Sequence, residues 1–367
     1  MNLSGKGAVM SKKKVRNPLI KRIPKELIGD WKKYLVVFLF LVLTIGFVSG
    51  MYVANESMLQ SAADGVNEYK QEDGHFELKK QADDALLSAI ESGEKADVKQ
   101  YYLDEAKKKL DKKYPKKFKS TFDEKFKSKF DAQFSAQDKI EDKYADAEEK
   151  YELNDPDFKA TKTTVYENFF RNEEEDYNND GKKDGTIRVF PQTEDINLAC
   201  LLKGSFPQTK DEIAIDRMHA DNVGVTVGDT ITISGETYKI VGLLAYVNYS
   251  TLHEKTTDLM FDALKFDVAM VTPEGFDRLH KSVHYTYAWK YENEPEDDAQ
   301  EKIQSDNFMR ALLTQVVVAD NELEDYTPKY GNPAINFATD DMGSDKAMGG
   351  VLLDILIVII AFIFAVT

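Results

Sequence analysis

The sequence predicts a membrane protein of the α+β class: an N-terminal transmembrane helix, a large extracytoplasmic domain, and the start of a second transmembrane helix. Three observations predict it. Residues 34–54 form a run of 21 positions without a charge. The formal net charge of −16 is divided, with ten Lys/Arg against two acids in residues 1–33 and 38 against 62 in the remainder of the 367-residue chain. From residue 186 onward, short β-type alternations interleave with turn signals and brief helical patterns. The mean hydropathy of −0.46 averages over these unlike parts.

The leader, 1–33, is basic and carries an amphipathic entry at 24–35. At about 1.5 Å per residue the following apolar run reaches roughly 31 Å, the thickness of a bilayer's hydrocarbon core. Its backbone groups must pair internally there, so the expected form is a helix. Trp31 and Tyr34 stand at its entry and Tyr52 near its exit, where interfacial aromatics belong. A cleavable signal peptide is the alternative, but its apolar region is shorter and ends at a small-x-small site. Retention of Lys and Arg inside sets the N-terminus in the cytoplasm and 55–347 outside. The second apolar run, 348–367, contains Asp354 and leaves 13 charge-free residues after it. That reads as a second span truncated at Thr367, the alternative being a C-terminal tail anchor.

Within 55–347, residues 55–70 continue the first helix through Met58, Leu59, Ala62, Ala63, Val66 and Tyr69. Residues 74–78 form a short strand. Residues 79–160 are a charged helical insertion in which Leu110, Tyr114, Phe118, Phe122, Phe126, Phe130 and Phe134 recur every fourth position. Such a stripe winds slowly around a helix, and Pro115 should interrupt it. The insertion reads either as a partner- or substrate-contacting arm or as a helical pair covering its own domain. Residues 186–189 predict a strand. Residues 198–244 predict a small α/β subdomain, with strands at Ile213/Ile215, Val225/Val227, Ile231/Ile233 and Tyr238/Ile240. Gly224, Gly228 and Gly235 supply its turns, and 218–222 a short helix. Residues 266–272 and 312–319 predict buried strands, and Pro273 opens a helix.

The acidic total excludes a nucleic-acid binder, which needs a basic face to displace counterions. One cysteine, Cys200, excludes an internal disulfide framework and clustered-thiolate metal sites; among apolar neighbours it reads as a small buried hydrophobe. No phosphate-cradling G-x-x-x-x-G-K-[ST] and no H-E-x-x-H occurs. His280 and His284, four apart, would share a face only on a helix, and no carboxylate motif accompanies them. The chain therefore reads as non-catalytic. One metal motif stands out. Asp176, Asn178 and Asp180 precede Gly181, Lys182 offers a carbonyl, and Asp184 takes the ninth position, as at the start of an EF-hand calcium loop. Ile187 replaces the bidentate glutamate at the twelfth position, and Asp/Asn/Gly runs are also ordinary turns. Calcium loop and plain turn both remain open.

These residues, taken in order, resemble the FtsX-like (MacB-type) permease subunits of bacterial ABC transporters. The most specific stretch is GSFPQTKDEIAID…VGDTITISGETYKIVGLL (204–244), with the family's G-x-x-P, E-I-x-I strand, G-D turn and hairpin ending in V-G. PKELIGDWKKYL (24–35) is similar to the entry into the family's first span, and DGHFEL (73–78) to the first strand after it. The resemblance implies a non-catalytic permease subunit coupled to a separate cytoplasmic ABC ATPase that uses the ATP. It implies a second permease copy or pseudo-dimeric half, and an outer domain that moves for export, extraction or envelope signalling and contacts extracellular protein or peptide. The 79–160 insertion departs from the family pattern, and the later spans lie beyond Thr367. The rival expectation is a membrane-anchored extracellular binding or sensor protein without an ATPase partner.

Overall fold

The computed structural model describes residues 28–98 and 157–335, with isolated positions at 22, 100–101, 104–105 and 108. Most of the leader (1–21 and 23–27), the aromatic stripe of the insertion, Pro115 and the second apolar run lie outside the described residues. The chain divides into two units, the larger running from Ala63 to Asp345. The described part of the smaller unit is helical. It belongs to α1 (Trp31–Glu68), 38 residues long, which takes in both the apolar run and its predicted continuation. Val36, Leu43 and Phe47 project on one side of this helix and Phe38 and Ile45 on the opposite side, all exposed. At 100° per residue that is an apolar surface all round. The described side chains run without a gap only to Phe47, and among the described residues no helix is long and apolar enough to cross a membrane.

Among the described residues the larger unit holds two sheets. In chain order its elements are β1 (Gly74–Leu78), α2 (Asp84–Glu91), β2 (Thr163–Glu167), β3 (Arg171–Asp176), β4 (Gly185–Pro191), β5 (Ala199–Gly204), β6 (Glu212–Asp216), α3 (Arg217–Val223), β7 (Thr230–Ile233), β8 (Glu236–Tyr246), β9 (Phe266–Val271), α4 (Pro273–Asp277), β10 (Tyr285–Tyr291), α5 (Asp298–Val318) and β11 (Leu323–Pro328).

The first sheet is antiparallel, in the order β11-β1-β10-β2. Phe76, Leu78, Tyr287, Trp289 and Tyr291 line one face and pack against Leu86 and Ile90 of α2 and Phe308, Leu312 and Val316 of α5. Gly74 pairs with Trp289, and a Cβ at position 74 would run into the indole ring. α2, inside the stretch read as an insertion, is thus part of the core.

The 312–319 strand expectation is overturned: these residues are the end of α5 and its cap. Three consecutive valines, Val316 to Val318, favour a strand locally, but tertiary packing decides. Asp297 caps the helix by accepting from the Gln300 amide at 2.8 Å. The i, i+4, i+8 stripe Phe308–Leu312–Val316 then lies on the sheet.

The second sheet has the order β5-β8-β6-β9-β4-β3-β7, and β7 also pairs with β8. It therefore closes on itself as a six-stranded barrel with β5 laid outside it. β4–β9 and β6–β8 are parallel and the remaining pairs antiparallel. Ile187, Val189, Ile213, Ile215, Ile231, Ile233, Tyr238, Ile240, Ala269 and Val271 fill the interior, and Phe276 of α4 packs with them. The predicted 186–189, 213–215, 231–233, 238–240 and 266–272 strands all occur here, as does the short helix at 218–222. Val225 and Val227 are not in a strand; they sit in the loop after α3, which Gly224 ends in the left-handed conformation at φ 83°.

After α1 the chain is stapled into this unit. The Leu198 amide donates to the Tyr69 carbonyl at 2.8 Å and the Asn197 amide to that of Lys70 at 3.0 Å. The fully buried Glu72 accepts from the Asn197 side-chain amide and from His75 Nδ1, both at 2.6 Å. Asp73 accepts from Lys290 Nζ at 2.6 Å and from the Tyr291 amide at 2.9 Å.

Trp289→Ala should lower unfolding free energy by about 3–5 kcal/mol, read from urea titration by circular dichroism; a loss below about 1 kcal/mol contradicts this packing. A second expectation concerns pH. Burial lowers the His75 pKa, but Glu72 and Asp325 more than offset it, so the imidazole is held above its ordinary 6.5. A raised folded-state pKa stabilises fully below the unfolded value and is lost as pH rises through the folded one. His75→Gln should therefore destabilise most below pH 6.5 and progressively less as pH rises. A deficit that is constant or grows with pH refutes the pairing.

Candidate functional site

One end of the barrel gathers the polar chemistry. The C-terminal ends of β3 and β6 and the N-terminal ends of β4 and β9 meet there, because β4 and β9 run parallel while β3 and β6 oppose them. Two polar groups occupy this end, a surface hairpin and a buried cluster.

The hairpin joins β3 to β4 and carries the five residues of the calcium motif. Asp176 closes β3. Its Oδ1 accepts from the Asp180 amide at 3.0 Å and its Oδ2 from the Gly181 amide at 2.8 Å. Asn178 Oδ1 accepts from the Asp180 amide at 2.9 Å, and Asp180 Oδ1 from the Lys182 amide at 2.9 Å. The Lys182 ammonium lies 3.2 Å from Asp180 Oδ2. Asn179 takes the left-handed conformation at φ 57° and donates to the Thr230 carbonyl at 2.8 Å, tying the loop to β7. The Asp184 amide donates to the Glu175 carbonyl at 2.7 Å. These side chains build the turn by satisfying its amides. Each carboxylate oxygen keeps a second lone pair, so the turn and a calcium ion are compatible uses of the same residues. Among the described residues, the acids and imidazoles that come together tightly enough for a metal are others.

Those others are Glu175, His219 and Asp267, all fully buried, with ligand atoms within 4.8 Å of one another. Glu175 and Asp267 face the barrel interior, one residue before the hairpin and at the second position of β9. His219 comes from α3. Asp216 caps that helix by accepting from the Met218 and His219 amides at 2.7 and 3.3 Å, which turns the imidazole inward. His219 Nδ1 donates to the Ala263 carbonyl at 2.8 Å, so that nitrogen carries the proton and Nε2 faces the acids. Nε2 lies 3.2 Å from Glu175 Oε1 without hydrogen-bond alignment. Asp267 Oδ1 accepts from the Val268 amide at 2.7 Å and the Asp216 amide at 3.2 Å. Both Glu175 oxygens, Asp267 Oδ2 and His219 Nε2 have no hydrogen-bond partner. The Tyr177 ring stands edge-on to the imidazole at 6.0 Å.

The electrostatics match this crowding. Burial pushes Asp267 well above the usual carboxylate range and Asp216 up to about 6. For His219 burial lowers the pKa, but Asp267 and Glu175 outweigh it and hold the imidazole at about 9. Sequence reading missed the cluster. Its members are far apart in the chain, and the one local signal was the acidic run Glu173–Asp176 placed directly before the hairpin.

His280 and His284 share no helix: both follow α4 in the loop to β10, and His284 Nδ1 donates to Glu77 at 2.7 Å. Cys200 is half-buried on β5. A cleft of about 310 Å³ is lined by His75, Arg188, Tyr249, Glu254 and Asp325 among others. Its guanidinium already serves the fold. Arg188 donates to Asn172 at 3.0 Å, to the Tyr249 hydroxyl at 2.7 Å and to the Glu254 carbonyl at 3.0 Å, and lies over the Phe170 ring.

No family model matches the sequence, and no curated protein matches it. Among solved structures the chain is similar to the periplasmic region of MacB from Actinobacillus actinomycetemcomitans, at 8% identity and a TM-score of 0.26 over 47% of this chain and 75% of that one. It is similar to the extracellular domain of the noncanonic ABC-type transporter YknZ from Gram-positive bacteria, at 14% identity and a TM-score of 0.26 over 48% and 88%. A domain of a protein described as a permease from Porphyromonas gingivalis gives 13% identity and a TM-score of 0.23 over 47% and 77%. Likenesses at this level place no activity on the chain.

Proposed function

We propose that this chain is part of the permease subunit of an ABC transporter, in which a separate cytoplasmic ATPase drives movement of an extracytoplasmic domain. One observation carries the reading. α1 begins beside a basic leader, presents apolar side chains on opposite faces, and continues unbroken to Glu68, where hydrogen bonds from Tyr69 to Asp73 fix the chain into the larger unit. A helix with that surface suits lipid better than water. A staple at its exit suits a domain that is pulled by its anchor. The 204–244 pattern supports the same family, since Gly204 ends β5 and the E-I-x-I and V-G segments form the adjoining strands β6 and β8. Residues 55–347 lie outside the cell on this reading, and 348–367 return to the membrane.

Affinity purification of the protein from its native membrane tests the proposal. The expected result is a nucleotide-binding ATPase recovered in near-stoichiometric amount. Reproducible recovery of the membrane protein with no ATPase overturns it in favour of an anchored sensor.

A further inference from the structure

We propose that Glu175, His219 and Asp267 bind one divalent transition-metal ion of the zinc or manganese class, which closes one end of the barrel. The proposal stands on the barrel's geometry and is independent of the transport reading.

Buried polar atoms gathered at one place are its basis: both Glu175 oxygens, Asp267 Oδ2 and His219 Nε2 have no hydrogen-bond partner, and the one close approach among them, Nε2 to Glu175 Oε1 at 3.2 Å, is not aligned as a hydrogen bond. Folded proteins pair nearly all such atoms, and a buried group without a partner calls for an ion or water. The imidazole has the orientation of a metal ligand. Nδ1–H donates to the Ala263 carbonyl at 2.8 Å, so Nε2 is the nitrogen left facing the acids and a metal would bind there in place of a proton; a backbone carbonyl at Nδ1 is the usual outer support of a metal-bound histidine. The three ligands come from β3, α3 and β9, so the ion would cross-link elements distant in sequence.

The donor set selects the class. One imidazole nitrogen with two carboxylates is too nitrogen-rich for calcium or magnesium and has no thiolate for soft ions. Ligand atoms about 2.0–2.2 Å from one ion lie at most roughly 4.4 Å apart. The observed spread of up to 4.8 Å closes with side-chain adjustments of a few tenths of an ångström. Charge also fits. A divalent ion neutralises both carboxylates together.

The test uses the tag-free full chain, stripped with a chelator and titrated with Zn²⁺ by calorimetry and with Co²⁺ by visible absorption. One equivalent should bind per chain, with visible Co²⁺ bands and a raised thermal midpoint. Glu175→Gln and Asp267→Asn should each weaken Zn²⁺ by at least the roughly 10–100-fold that losing an outer-shell partner costs. Asp180→Ala, on the exposed hairpin, should leave it unchanged. Absence of a stoichiometric Zn²⁺ or Mn²⁺ site in the wild-type chain overturns the proposal and leaves a buried imidazolium. So does equal binding by Glu175→Gln. Should Asp267→Asn fail to fold, the wild-type stoichiometry and the Glu175→Gln titration decide on their own.

Discussion

Everything at the polar end of the larger unit depends on β8 being paired along both edges. Its eleven residues hold β6 on one side, while β7 and then β5 share the other. The register makes this possible: Glu236 to Lys239 face β7, and Gly242 to Tyr246 face β5. Gly235, at φ 92° in the two-residue turn, lets β7 fold straight back onto β8. Without that hairpin the sheet would stay open, leaving the edges of β3 and β8 unpaired.

Closure has a chemical consequence. It draws β3, β9 and the start of α3 around one small volume and removes water from it, which turns acids tolerable on an open sheet into a costly cluster. Glu173, the next inward acid on β3, shows the ordinary solution. It accepts from the His280 and Lys281 amides at 3.0 and 2.8 Å and from the Ser234 hydroxyl. Glu175, two residues on, has the same burial and none of those donors. That contrast within one strand sets this end of the barrel apart from the neighbouring polar position on β3.

The sequence was informative where period and punctuation agree. The strands of 211–244 could be read because apolar alternation was broken by glycines at turns, and 74–78 because one strand directly follows a long helix. β3 was invisible, since Arg171, Glu173 and Glu175 occupy the inward positions where apolar residues are expected. α5 was half misread because its last turn carries valines whose strand preference loses to a capped helix packed on aromatics. The hairpin residues were singled out from their spacing, as a calcium loop or a plain turn. The buried cluster beside them was not, because barrel closure, rather than any local pattern, brings 175, 219 and 267 together.

The link from fold to proposed action runs through the exit of α1. Glu72 and Asp73 are buried acids whose partners come from the first sheet and from the segment leading into β5. A displacement of the helix end would therefore reach both sheets of the larger unit. That transmission requires the barrel to act as one closed body. Amide hydrogen exchange along Glu236–Tyr246 tests this most directly. Closure predicts that both halves of β8 exchange only through global unfolding, with equal protection. Exchange of 236–239 at the faster rate of an edge strand would contradict it, and with it the enclosure of the cluster.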